Sequence, residues 1–278
     1  MTWRPLHADS ATFDTLVPGI PPWLVIPIWV WVQETMDLQH KPGYSPTNMH
    51  IITQFDLSSR RTHPVAGVFY SHGLDAMAQE LGPEGGLDMV DFLLSTNLQD
   101  NFEILETLEK KLSVGGSLWR VGVRNGEPGL ERRVPEGVHD AANEVMAIRG
   151  NAGTLMSKAW HAAFGRNPNY EEAYKNAVLA VEAAATHIVE PTNAELGTLG
   201  TTVKKLRNDA NWSLNMRKEH KSETTAQVVL ALMQSLWTGQ ERHAGDTHYP
   251  NTKEEAEAAI FLAVPLVQWF SSGAVERR

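Results

Sequence analysis

PNYEEAYKNAVLAVEAAATHIVEP, residues 168–191, is the stretch whose reading decides the fold. Asn169 is a favoured N-cap residue, and Glu172 stands where its side chain can reach back to the cap. From Tyr170 to about Val189, Tyr174, Ala177, Val178, Val181, Ala185 and Ile188 recur at helical spacing and make one apolar stripe. Pro191 stops the helix. Immediately upstream, GRNPN at 165–169 combines glycine, proline and two asparagines, and reads as a domain boundary.

Downstream, Leu199 to Leu206 suggests a shorter helix, and a polar connector follows from Arg207 to Ser222. A third helix, about Thr224 to Thr238, presents Val229, Leu230, Met233, Leu236 and Trp237 to a core, and Gly239 ends it. Thr252-x-x-Glu255 is a capping box that opens a fourth helix, Lys253 to about Phe270. Four helices with a long polar loop before the last make a small bundle at 165–278. Val178, Val181, Met233, Leu236, Leu262 and Leu266 are its expected core.

Upstream the pattern is more mixed. Residues 1 to about 45 are rich in proline and tryptophan and lack a long helical period. Met49 to Asp56 reads as a strand, whereas Leu74 to Leu81 and Met89 to Leu112 read as helices. LWRVGVRNGEPGLERRV at 118–134 alternates into Asn125-Gly126, the signature of a hairpin, and Pro128-Gly129 is expected to continue the turn. Gly137 to about Phe164 favours helix, with kinks at Gly150 and Gly153. The expected architecture is mainly α with a minor β hairpin. An N-terminal α+β region of unassigned role, 1–164, precedes the four-helix bundle.

The chain has 278 residues, a net charge of −9 and no cysteine. A composition 42% hydrophobic and 21% charged is that of a globular protein, not a disordered, collagen-like or multi-span membrane chain. The absence of cysteine excludes disulfides, thiol nucleophiles and thiolate zinc sites, and agrees with a reducing cytoplasm, the expected location. The most apolar run, IPPWLVIPIWVWV at 20–32, is interrupted by Pro27. It falls short of the roughly 20 residues a bilayer needs and lacks a cleavage site for export. It reads either as a buried segment or as a docking surface for a protein partner through Trp23, Trp29 and Trp31.

Four pieces in this order resemble one family: residues 168–191, LGTLGTTVKKL at 196–206, LMQSLWTGQERHAG at 232–245 and EEAEAAIFLAVPLVQWF at 254–270. The chain resembles bacterial abortive-infection proteins with a C-terminal domain of the HEPN class (higher eukaryotes and prokaryotes nucleotide-binding). The likeness extends more weakly to SLWRVGVRNGEPGLERRV at 117–134 and to the PPWL segment. It implies a HEPN-like bundle that dimerises and cleaves RNA without a metal or cofactor, in phage defence or as a toxin. The family signature is an arginine, a polar residue and, a few positions on, a histidine in the loop before the last helix. Arg242, His243 and His248 match it, and Glu182 matches a glutamate that often joins the pair. Family members more often carry asparagine or aspartate after the arginine, which leaves either histidine as the working one.

The residue types suit the chemistry. Histidine moves a proton near neutral pH. Arginine presents a permanently charged fork to phosphate oxygens. A glutamate holds the arginine or fixes the histidine tautomer. Without the family context, an arginine and a histidine so spaced are an ordinary solvated loop. His243, Asp246 and His248 are also metal-ligand types, but no fourth ligand stands nearby.

Lys204, Lys205 and Arg207, with Arg217, Lys218 and Lys221, form the densest basic region, read either as a solvated surface or as an RNA-tracking one. Trp212 within it offers a stacking platform or a core residue. Gly197-Thr198-Leu199-Gly200 is a lone GxxG without an assigned phosphate role. No P-loop, dinucleotide fingerprint or nucleophile elbow occurs. The alternative to an RNase is a non-catalytic module for dimerisation or for nucleotide or RNA binding. The dimer expectation also rests on Trp237, Trp269 and Phe270, which supply either interface area or the bundle's own core.

Overall fold

The computed structural model describes residues 13, 15–38, 48–96, 101–124, 126–191, 197–209, 211–239 and 250–277. Arg242, His243, Asp246, His248 and the turn residue Asn125 lie outside these. The chain forms two compact units, Met1–Arg133 and Val134–Arg278. Among the described residues there are ten helices and two small two-stranded antiparallel sheets. None of these helices is long and apolar enough to cross a membrane.

The first unit holds α1 (Pro22–Leu38), α2 (Met49–Ser58), α3 (Ala66–Leu94), α4 (Phe102–Val114) and the hairpin β1 (Trp119–Arg124) and β2 (Glu127–Arg132). Two expectations are overturned here. The proline-rich segment is a helix because Pro22 sits in its first turn, where no N–H is needed, and Leu24, Ile28, Trp31, Val32 and Met36 share a buried face. Met49–Ser58 is also helical. Ile51, Ile52 and Phe55 are buried together, which helical spacing permits and strict alternation does not.

The helix expected through Met89–Leu112 is not continuous. It stops at Leu94, where the Ser95 and Thr96 hydroxyls donate back to the Phe92 and Leu93 carbonyls (both 2.7 Å). Within α3, Gly73 and Gly82 adopt φ of +81° and +62°, so three helical pieces follow one another. Asp56 caps the first piece, accepting from the Val65 and Ala66 N–H groups at 3.0 and 2.9 Å.

The hairpin forms where expected, with Val121 opposite Leu130, but Pro128 and Gly129 pair with Val123 and Gly122 inside β2 and do not extend the turn. Two helix carboxylates hold it. Asp91 on α3 accepts from the Leu130 N–H (2.7 Å) and from the Arg124 guanidinium (3.0 Å). Glu109 on α4 accepts from the Val121 N–H and from Arg133, both at 2.8 Å. Trp29 and Trp31 are buried in the core of this unit, as a structural segment requires, and Trp23 is exposed.

The second unit contains α5 (Glu136–Met146), α6 (Asn151–Phe164), α7 (Tyr170–Val189), α8 (Leu199–Asn208), α9 (Thr225–Thr238) and α10 (Lys253–Ser271). The 165–169 turn lies inside this unit, between α6 and α7. Trp160 and Phe164 of α6 are fully buried in the same core as α7 and α10. The helix expected over 137–164 is two, parted at Gly150, whose φ is +110°. Ala173, Ala177, Ala180 and Ala184 give α7 buried small side chains, so α6, α8 and α10 all pack on it.

The caps read from the sequence are present. Asn169 accepts from the Glu172 N–H (3.1 Å), and Thr252 and Glu255 form their reciprocal box. Leu262 is only half-buried and stands outside the core, whereas Ile260, Ala263 and Val267 fill the inward face of α10. Phe270 is buried in this core, and Trp237 and Trp269 are partly buried against it. The polar connector contains a strand, β3 (Trp212–Leu214), paired with β4 (Val275–Arg277).

Candidate nucleic-acid interface

The basic helix α8 is amphipathic. Leu199, Thr202, Val203 and Leu206 face the core, and Lys204, Lys205 and Arg207 are exposed. A box formed by Thr198 and Thr201 opens it, and Lys205 and Arg207 fall in its last turn, where cations suit the helix dipole. Its first N–H, on Leu199, donates to Glu182 Oε2 at 2.7 Å. The structure therefore places Glu182 at the start of α8, as an anchor from α7.

Between α8 and α9 lies a cleft of about 560 Å³. Lys204, Arg207 and Asn208 line it from α8, and Gln234, Trp237 and Thr238 from α9. No carboxylate is among its described lining residues. Gly200 belongs to the close packing here: a Cβ at that position would run into the Trp237 ring. With the Gln234 amide oxygen turned toward it, the Arg207 guanidinium donates through Nε at 3.2 Å and through a terminal nitrogen. That contact orients the guanidinium plane and leaves further donors for an anion. The arrangement suits a phosphate oxygen beside a flat ring.

The cleft ends at Thr238, and the chain beyond it is anchored at both sides of residues 240–249. Tyr174 donates its hydroxyl to the Leu236 carbonyl (3.1 Å), and Asn251, nearly buried, donates its amide to the Gly239 carbonyl (3.3 Å). The two stems of the segment that carries Arg242, His243 and His248 are thus joined next to the cleft. Arg217, Lys218 and Lys221 do not line it. They are exposed on the connector, which Thr225 ties down by accepting from the Leu214 N–H and donating to Glu219 (2.7 Å). Trp212 is buried against the core and is not a stacking platform.

Sequence reasoning missed Gln234, Asn251 and the cleft role of Trp237. A signal existed for two of them. Lys204 and Arg207 on α8, and Gln234 and Trp237 on α9, are each three residues apart and so share a helix face. Among the described residues, no group of three histidine or acidic side chains is placed to hold a metal ion. Comparison with known protein families, curated proteins and solved structures finds no match to this chain.

Proposed function

We propose that the second unit is a metal-independent endoribonuclease of the HEPN type, acting in abortive infection or as a toxin. One observation carries the reading: a cleft with Lys204, Arg207 and Trp237, and no carboxylate among its described lining residues, ends four residues before Arg242, beside stems joined by Asn251. In this reading Lys204 and Arg207 grip the RNA backbone, and Trp237 stacks on a base.

A histidine, His248 or His243, removes the 2′-hydroxyl proton, and the 2′-oxygen attacks phosphorus. Arg242 stabilises the charge that develops on the phosphorane. The P–O5′ bond breaks, and the departing oxygen takes a proton. The products are a 2′,3′-cyclic phosphate and a 5′-hydroxyl. The reading also carries a homodimer, checked by mass in solution at micromolar concentration.

Cleavage of a mixed RNA pool in EDTA tests the chemistry. The wild type is expected to cleave, and Arg242→Ala to lose about 10²–10⁴ in rate, as does whichever of His248→Ala and His243→Ala removes the working histidine. Arg242→Lys is expected to rescue little, because an ammonium lacks the guanidinium fork. Loss of wild-type cleavage in EDTA would favour His243, Asp246 and His248 as metal ligands.

The second reading is a non-catalytic RNA- or nucleotide-binding module. The Glu182 contact with Leu199 favours it, since a carboxylate engaged in holding α8 does not need a role in acid–base chemistry. RNA binding without cleavage by the wild type would support that reading.

A further inference from the structure

In the first unit, α1 and α3 enclose an apolar groove of about 640 Å³. Val25, Ile26, Trp29 and Val30 of α1 line one side, and Leu74 and Ala78 of α3 the other. The apolar surface continues beyond the groove. Ile26 is 75% exposed and Trp23 61%, and Trp23, Ile26 and Val30 follow one another at helical spacing along α1. A continuous apolar stripe of this kind is uncommon on a free surface and marks an interaction site.

Among the described residues lining it, the two charged side chains, Glu34 and Asp75, are both acidic. Glu34 and Asp75 stand on the groove itself, exposed, and make no hydrogen bond or ion pair among the described residues. Gln33, also on the rim, donates to Asp37 at 2.9 Å. Arg61, the cation beside Gly85, faces the Phe55 ring and does not line the groove.

We propose that this groove is a docking site for a basic amphipathic helix of a partner protein. Such a helix lays apolar side chains at i, i+3 and i+7 over Ile26, Trp29, Val30 and Leu74, and sets lysines or arginines against Glu34 and Asp75. A stripe running from Trp23 to Val30 before it meets Glu34 extends along the helix as a helical partner does, and the one-sided charge selects a basic one. The site is independent of the nuclease reading, and its test uses no RNA.

The probe is a Leu/Lys amphipathic helical peptide of about four turns, titrated onto the full chain by calorimetry at low and high salt. The controls are a scrambled peptide of the same composition and the same helix with glutamate for lysine. The expected result is binding of the Leu/Lys helix alone, weakened by salt. Ile26→Ser should weaken it roughly tenfold, and so should the double variant Glu34→Gln, Asp75→Asn. The double variant Glu103→Gln, Glu144→Gln, which removes the same charge elsewhere, should leave it unchanged. All five sites are exposed, so unaltered thermal melting is expected and confirms the fold of each variant.

Equal binding of the scrambled peptide, or equal weakening by the control variant, would overturn the proposal by showing attraction to net charge only. Absence of binding overturns it as well. A concentration-dependent dimer of the chain itself that Ile26→Ser abolishes would overturn it in favour of a second copy as the occupant.

Discussion

Asn251 links the two stems of residues 240–249 through a single side-chain hydrogen bond to Gly239. Its side chain is nearly buried but Gly239 is exposed, so water can replace the lost donor, and Asn251→Ala is expected to cost about 0.5–1.5 kcal/mol. If the segment is catalytic, the same substitution is expected to lower kcat more than it raises KM, because it loosens the position of the reacting groups and not the RNA grip. Lys204→Ala with Arg207→Ala should do the opposite, raising KM while kcat holds. Steady-state cleavage of one short RNA separates the two. Glu182→Gln probes a third role. The amide oxygen can still accept from Leu199 but without charge, so the melting temperature should fall by a few degrees, about the effect of 1 kcal/mol in a unit of this size. Asp91 is the counterpart in the first unit. Asp91→Ala strands both the Leu130 N–H and the Arg124 guanidinium, and is expected to cost about 2–4 kcal/mol in chemical denaturation.

At the scale of elements, the helices of the second unit were legible because their start signals are local. Asn169 and Thr252 act within one turn of themselves, and no distant residue is needed to make those bonds. Thr252→Ala is therefore expected to destabilise α10 by about 1 kcal/mol, measured by the same denaturation. Met49–Ser58 was misread because a short run of β-branched and aromatic residues fits both periods, and only packing against α3 selects the helix. α1 was missed because Pro27 reads as a breaker, yet a helix with a buried face at Leu24, Ile28, Trp31 and Met36 gains more from packing than one lost backbone hydrogen bond costs. The pairing of β3 with β4 was invisible for another reason: its partners, Trp212 and Arg277, are far apart in sequence and neither strand carries a hairpin turn.

For the whole molecule, the division at Arg133 and Val134 makes a direct prediction about fragments. Residues 134–278 expressed alone are expected to give a helical circular dichroism spectrum and one cooperative melt. A fragment that starts at 165 lacks α6, leaves the faces of α7 and α10 that meet Trp160 and Phe164 uncovered, and should aggregate or melt without cooperativity. The sequence by itself determined the local elements: the capped helices α7 and α10, the hairpin, and the basic character of α8. These follow from hydrogen bonds and side-chain periods spanning a few residues. Only the tertiary structure decided that α5 and α6 belong with the bundle, that Trp212 is core, that Glu182 holds α8, and that Lys204, Arg207, Gln234 and Trp237 share one cleft. Each of these depends on which apolar faces meet, a choice settled by the burial of side chains remote in the chain and carried by no local pattern.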